Sequence, residues 1–377
     1  MSTITKDMEA KVPKKKVKFV LIAIIVIVTF SYFYFNRPVL VRRINKLRHS
    51  PCFLKRHYDL LPKIETRVNP LARNIFFVEK ECGEFTARFA CAVEAAALAN
   101  PEMQVNVLFI GPAFNVRKLV AIQTQFPNVK FVRINLENFA KSSDLKFILN
   151  QKSIRYRRIL KTGTLDIVKY WILNKYGGIY LDKNMIVIGP LAKYSNNWIV
   201  RKSRYSFAIE PLGLLNDAIG HVFFHIMSKE ILKFYQRTLQ WDKKPSRKYG
   251  RLSFSDLLEK AMKKFCKTSY TPIMTSKNCR GLKIYRQEEL YPPEWDDWSY
   301  FLETGELEQH HAYLFPLLRN IPKDKKILNT SRYARLVSQF CPMTAHAQGN
   351  DFEWLKDFTS EDYMQHNNIT REIITVI

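Results

Sequence analysis

Between residues 74 and 134 the chain switches repeatedly between two periods of hydrophobic patterning. Short, almost wholly apolar runs, NIFFVE (74–79), QVNVLFI (104–110) and VKFVRI (129–134), have the length and composition of strands covered on both faces. The stretches between them, 85–99 and 116–126, carry apolar residues at helical spacing, with Phe89, Val93 and Ala96 on one face of the first. Strands that alternate with helices predict parallel βαβ units, hence an α/β protein with a doubly wound, mostly parallel sheet.

The most informative stretch is 164–191, TLDIVKYWILNKYGGIYLDKNMIVIGPL. Thr164 is a natural N-cap, and Leu165, Val168, Trp171, Ile172 and Tyr176 share one helix face. Gly177 and Gly178 stop the helix, because glycine enters the left-handed C-cap conformation at no steric cost. Ile179, Tyr180 and Leu181 then read as a covered strand, and Asp182 marks the point where the chain turns polar. Met185 to Ile188 resume the apolar strand, which Gly189-Pro190 ends. A carboxylate fixed between two buried segments is well placed to hold a cation and the phosphates it carries. In doubly wound sheets ligands bind beyond the carboxyl ends of the strands, where Asp182 falls.

Beyond residue 191 the pattern loosens. Residues 198–209 contain a strand, 221–239 and 253–265 are helices, and 284–298 is an aromatic, acidic loop. The chain carries no internal repeat. Residues 71–377 therefore read as one domain.

The N-terminal region is of a different kind. Phe19 to Phe35 is an uncharged apolar run of 17 residues. At ~1.5 Å per residue a helix of that length spans roughly 25 Å, which suits a thin bilayer of the early secretory pathway. Its end, SYFYFNRP, lacks the small residues of a signal-peptide cleavage site, and its tyrosines suit a membrane interface. The division expected is a tail (1–18), a transmembrane signal anchor (19–35), a proline-broken basic stem (36–70) and the large domain. Basic residues flank the span on both sides, so charge alone does not orient it. Sequons at Asn329 and Asn368 favour a luminal C-terminal part.

The formal net charge of +26, from 60 Lys and Arg against 34 Asp and Glu, raises the question of nucleic acid. The bases are scattered, however, and no nucleic-acid-binding module is present, so that partner is set aside. The chain contains neither GxGxxG nor GxxxxGK[ST], and neither GxSxG nor HExxH, which removes dinucleotide, P-loop, serine-hydrolase and zincin chemistry. The six cysteines form no CxxC pair. Cys266 with Cys279 and Cys82 with Cys91 are the nearest candidates for disulfides.

KYGGIYLDKNMIVIGPL resembles the DXD segment of the glycosyltransferases that include α1,4-galactosyltransferases and α1,4-N-acetylglucosaminyltransferases. The likeness extends over most of 74–345. IFFVE and CAVEAAALANPEMQVNVLF resemble that family's first strand, helix and second strand. CRGLKIYRQEELYPPEWDDW resembles its CRG, YP and WxDW segment, and NTSRYARLVSQFCP its terminal SR and CP segment. The resemblance implies a type II Golgi membrane protein with a luminal GT-A fold, a Rossmann-like, mostly parallel α/β sheet. It implies transfer of a hexose or N-acetylhexosamine from a UDP-sugar, with Mn²⁺, in α1,4 linkage and with retention, to a galactoside-ended glycolipid or glycan. By the same resemblance Asp182 and Asn184 hold the metal, and Asp166, Lys169, Tyr180 and Asp182 the donor. An acceptor role for Trp295, Asp296 and Trp298 adds the physical sense of aromatic faces against sugar rings. The competing structural roles are a helix-favouring Asp166, a solvated Lys169, a core Tyr180 and tryptophans that plug a loop.

This chain also departs from the family. The DXD motif is Asp182-Lys183-Asn184, NGAF is reduced to Asn216-Asp217-Ala218-Ile219, and GHQGP corresponds to Gly250-Arg251-Leu252-Ser253. Lys183 places a positive charge where a cation would bind. A later His-Val-Trp-Asn is Pro316-Leu317-Leu318-Arg319. These changes open a second reading, a homologue that keeps the fold and acts as a Golgi binding or partner protein without turnover.

Overall fold

The computed structural model describes residues 61–355 except 71, 80–84, 111–115, 136–138, 140–163, 242–253, 293–296, 308–311, 317–320, 323–324 and 350, together with 25, 26, 29, 31 and 32. The chain separates into two compact units, Met1–His57 and Tyr58–Ile377. Among the described residues no helix is long and apolar enough to cross a membrane, and most of the run Phe19–Phe35 lies outside them.

In the second unit the three apolar runs form β1 (Asn74–Glu79), β2 (Gln104–Phe109) and β3 (Val129–Arg133). Helix α1 (Ala87–Ala99) follows β1, with Thr86 accepting a hydrogen bond from the Phe89 amide as its N-cap. Helix α2 (Val116–Gln125) follows β2, and α3 (Thr164–Tyr176) precedes β4 (Gly178–Tyr180). These four strands are parallel to one another in the order β3-β2-β1-β4. The mixed α/β class and mostly parallel sheet expected from the alternation are thus present.

The covered-strand reading of β1 holds because its side chains serve two cores. Phe76 and Val78 pack on the face covered by α3, with Val168 and Ile172. Ile75 and Phe77 pack on the opposite face, with Phe89 and Val93 of α1. All six residues of β1 are buried. Burying a phenylalanine side chain stabilises the fold by ~1.5–3 kcal/mol, so this strand is a principal anchor.

After β4 the chain departs from its expected course. Met185–Val187 (β5) leaves the main sheet and pairs antiparallel with β10 (Leu314–Pro316) in a separate two-stranded sheet. The turn at Asp182 redirects it. Residues 198–209 divide into β6 (Trp198–Ser203) and β7 (Ser206–Phe207), an antiparallel hairpin. Strand β8 (Leu212–Leu214) inserts antiparallel between β4 and β6. The expected loop at 284–298 begins instead with a strand, β9 (Lys283–Arg286), parallel to β6, with Ile284 and Tyr285 half-buried and Lys283 and Arg286 exposed. That half-burial leaves the apolar signal weak.

Helices α4 (Ala218–Trp241) and α5 (Phe254–Phe265) add to the core on the α3 side. A third core gathers α1, β5 and β10 with α6 (Trp298–Leu302), α7 (Arg332–Phe340) and α8 (Pro342–Gln348). Cys91 of α1 is bonded to Cys341 between α7 and α8, not to Cys82, and the buried Glu94 one turn along accepts from the Met343 and Thr344 amides. Contacts remote in sequence decide that pairing, which spacing does not show. Cys266 is bonded to Cys279 as spacing suggests.

The approach of β4 to β1 depends on Gly178. Its φ is +133°, and a Cβ placed there would lie 2.3 Å from the Asn74 carbonyl oxygen. Gly178→Ala is expected to combine a strained backbone with a collision, costing about 2–4 kcal/mol in urea unfolding of the full chain. An unchanged midpoint would show that β4 is free to move away from β1.

Candidate active site

From β1 the sheet grows through β2 to β3 in one direction, and β4 lies on the other side of β1. In α/β sheets such a reversal marks the crevice where ligands bind, which here falls at the carboxyl ends of β1 and β4. Glu79 is the last residue of β1. The Leu181 amide donates to the Phe76 carbonyl at 3.0 Å, so the chain stays beside β1 past the end of β4. Asp182 emerges at the mouth, half-buried.

There the backbone turns. The Met185 amide donates to the Asp182 carbonyl at 3.1 Å, and Asp182 Oδ1 accepts from the Asn184 amide at 2.8 Å. The aspartate thereby stabilises its own turn, a common arrangement for this residue type. Lys183 folds back, its Nζ 2.8 Å from Oε2 of Glu79. Glu79 is 2% exposed, whereas the Lys183 side chain is 39% exposed. The sequence alone makes Lys183 a charge that repels a cation at the motif. Paired with Glu79, it has its charge offset instead.

These residues fit one kind of divalent site and not another. No cluster of three or more His, Cys, Asp or Glu able to hold a metal occurs among the described residues. A resident, protein-enclosed ion is therefore not supported there. A carboxylate offers about four lone-pair sites, so a bond to the Asn184 amide and a bond to a cation are compatible at Asp182. Ions of the Mg²⁺ and Mn²⁺ type are commonly held by one or two carboxylates with phosphates of the substrate completing the shell. Asp182, with the amide oxygen of Asn184, fits a cation that arrives with a phosphate ligand.

Lys169 of α3 is fully buried. Its ammonium is 3.7 Å from Oε2 of Glu210 and 5.4 Å from the centre of the Tyr180 ring. Buried lysines require compensation, and the carboxylate and ring face supply it. A solvated Lys169 is thus excluded. Tyr180 is 3% exposed and belongs to the α3-side core, so the structure brings it together with Lys169 but not to the surface. Asp166 lies one turn before Lys169 on α3, and its side chain is outside the described residues.

The acceptor candidates divide. Trp295 and Asp296 are outside the described residues. Trp298 begins α6, half-buried against the third core. Its neighbour Asp297 caps that helix, accepting from the amides of Ser299 and Tyr300, and the Ser299 hydroxyl helps hold its carboxyl below the usual range. Asn216 and Asp217 precede α4. Asp217 caps that helix by accepting from the Gly220 amide, and it also accepts from Asn197. Asn216 donates to the Lys175 carbonyl at 3.3 Å, which ties it to the end of α3.

Two acidic residues of this region escape sequence reasoning. Glu79 carries the same signature as Asp182, an acid ending an apolar strand, and can be found by it. Glu210, just before β8, has no local signal. Only folding brings it to Lys169.

Two family models match the chain. Residues 86–205 match the glycosyltransferase sugar-binding region containing the DXD motif, and residues 253–348 the alpha 1,4-glycosyltransferase conserved region. Lactosylceramide 4-alpha-galactosyltransferase of Pan troglodytes is 27% identical over 306 residues, 76% of this chain and 81% of that protein. The human alpha-1,4-N-acetylglucosaminyltransferase is 22% identical over 285 residues, 72% of this chain and 79% of that one. Among solved structures, apo-form glycosyltransferase GlyE of Streptococcus pneumoniae TIGR4 superposes with a TM-score of 0.40 and 10% identity, over 73% of this chain and 62% of that one.

The Lys183–Glu79 pair makes a quantitative prediction. Lys183→Ala withdraws the ammonium from a buried carboxylate and is expected to destabilise the fold by about 1–2 kcal/mol. Adding Glu79→Gln should recover most of that loss, and a double-mutant cycle read by denaturant unfolding measures it. Strictly additive losses would show that the two side chains do not stabilise each other.

Proposed function

We propose that this chain, which belongs to the α1,4-glycosyltransferase family, has a GT-A fold and transfers a hexose or N-acetylhexosamine from a UDP-sugar to a glycan. The acceptor is a galactoside-ended glycolipid or glycan, the new linkage is α1,4, and the anomeric configuration is retained. The observation that carries this reading is the position of Asp182, just beyond the carboxyl end of β4 where the parallel sheet reverses its order, with the buried Lys169 against Tyr180 of the same strand.

Asp182 and Asn184 would hold Mn²⁺ together with the donor diphosphate. When bound there, the ion offsets charge on the departing UDP. The chain's own contribution is positional. The Asn184 amide orients the Asp182 carboxylate, and the Glu79 carboxylate holds Lys183 beside the motif. Lys169, held by Glu210 and facing the Tyr180 ring, would support the donor side from within the core, and Asp166, one turn earlier on the same helix, would meet the donor. Trp295 and Asp296 would meet the acceptor, with Trp298 fixing that segment to the third core. Retention is compatible with a front-face route, in which leaving phosphate and acceptor hydroxyl meet on one side of the sugar. Supported by the apolar run Phe19–Phe35, the enzyme would be a type II Golgi membrane protein with its large domain in the lumen.

Lys183 also favours a second reading. A lysine already engaged with Glu79, beside an asparagine in place of the second acid, is what a retired metal site would look like. Such a protein would bind a Golgi partner without turning over a donor.

Calorimetric titration of the full chain with UDP, with and without Mn²⁺, separates the two. The enzyme reading expects metal-dependent UDP binding abolished by Asp182→Ala, and release of UDP when donor and acceptor sugars are supplied. No binding at millimolar ligand would overturn it. Asn184→Asp adds a carboxylate to the cation's oxygen ligands and is expected to tighten Mn²⁺ binding by roughly tenfold, about 1.4 kcal/mol. Unchanged affinity would favour the retired site.

A further inference from the structure

Among the described residues of the second unit six large apolar side chains are strongly exposed, and three of them lie in two segments fastened together by one arginine. Tyr205, 54% exposed, sits at the tip of the β6–β7 hairpin. Tyr270 and Ile273, 46% and 54% exposed, project from the loop closed by the Cys266–Cys279 disulfide. Arg201 joins the two. Its Nη1 donates to the carbonyls of Arg204 at 3.3 Å and Thr271 at 3.1 Å, and its Nη2 donates to that of Met274 at 3.1 Å.

Both segments are held firmly. In the hairpin turn the Ser203 and Ser206 hydroxyls lie 2.7 Å apart. In the loop, Asn278 accepts from the Thr275 amide and donates to the Ile273 carbonyl. A folded loop that leaves a tyrosine and an isoleucine in water while fixing its own backbone does not expose them for want of structure.

The charge carried by the two segments has one sign. Lys202, Arg204, Lys267, Lys277 and Arg280 are exposed on these segments, and none forms an ion pair among the described residues. Residues 191–209 and 260–287 contain no Asp or Glu. Tyrosine and an aliphatic side chain among such bases suit an interface between water and anionic headgroups, where each base contributes roughly fivefold in partitioning.

Sheet geometry places this surface on the side of the candidate site. Trp198 of β6 pairs with Gly213, which pairs with Ile179 of β4. Two antiparallel steps give β6 and β4 the same direction. Ser203 is therefore about 16 Å, and Asp182 about 10 Å, beyond that common level toward the same edge of the sheet.

We propose that the β6–β7 tip and the 266–279 loop form a docking surface for an anionic membrane, which turns the crevice edge of the sheet toward the bilayer. The surface stands on its own residues and does not rest on the assignment of donor, acceptor or metal.

The full chain, reconstituted in nanodiscs of phosphatidylcholine alone or mixed with phosphatidylserine, tests this by hydrogen–deuterium exchange. The apolar run Phe19–Phe35 is present in both preparations, so the contrast reads the patch. Amides of 203–206 and 268–275 are expected to exchange about tenfold more slowly in the anionic discs. High salt, and the combined variant Arg204→Glu, Lys267→Glu and Lys277→Glu, should each remove the slowing while core amides exchange as before. Tyr205→Ser with Ile273→Ser, which alters only exposed side chains, should weaken the slowing as well. Equal exchange in the two kinds of disc would overturn the proposal. So would slowing that grows with protein concentration in lipid-free detergent, because the occupant would then be a second copy of the chain.

Discussion

β4 can lie against β1 only because residue 178 has no side chain, and the arrangement of the crevice follows from that contact. The Asn74 carbonyl occupies the space a Cβ would need. From this approach follow the pairing of Ile75 with Ile179 and Phe76 with Tyr180, and the alignment that leaves Glu79 and Asp182 at neighbouring strand ends. Gly177, at φ +64°, supplies the reversal between α3 and β4 and packs against the backbone of residues 215 and 216. The two glycines stop a helix, as the sequence suggests. Their larger role is steric: they let three backbone segments meet beneath the crevice.

Several residues that carry the family resemblance prove to be structural. In the CRG segment Cys279 closes the 266–279 loop, while Arg280 and Gly281 take positive φ values to leave it. In the SR and CP segment Ser331 caps α7, Arg332 donates to the Tyr300 carbonyl and lies over its ring, and Cys341 joins α1. Such positions report on the fold, because each fixes backbone to backbone across the chain. The shared segments thus account for the scaffold. The altered motif at 182–184 lies outside that set, which is why fold and turnover are separate questions in this chain.

Legibility in the sequence follows the same division. The elements from 74 to 134 can be read to within a residue or two because both faces of each strand are buried, and a continuous apolar run bounded by turn residues fits little besides a covered strand. β9 escapes because its side chains are half-exposed, and β5 reads as part of the main sheet because periodicity carries no information about partners. Asp182 is legible as an acid ending an apolar run. The partners of Lys183, Lys169 and Cys91 are not, since Glu79, Glu210 and Cys341 lie 104, 41 and 250 positions away. Spacing rules describe one helix or one strand, and these contacts join different ones.

Those distant pairings define the electrostatics of the crevice. Lys183 is matched by Glu79, and Lys169 by Glu210, each pair having one fully buried member, Glu79 and Lys169. Asp182 lies half-buried next to Lys183 in the chain, just beyond β4. A diphosphate approaching it meets charge of its own sign unless something positive comes between them. Two sources can be weighed from the described residues: a cation that travels with the donor, or Lys183 released from Glu79. The second would take the ammonium away from a carboxylate that is 2% exposed, a cost that grows with burial. The half-exposed Lys183 gains in the exchange only what a surface-type pair returns. The balance favours an incoming cation over a rearranged lysine, and it makes the pairing of Lys183 with Glu79 compatible with a working site.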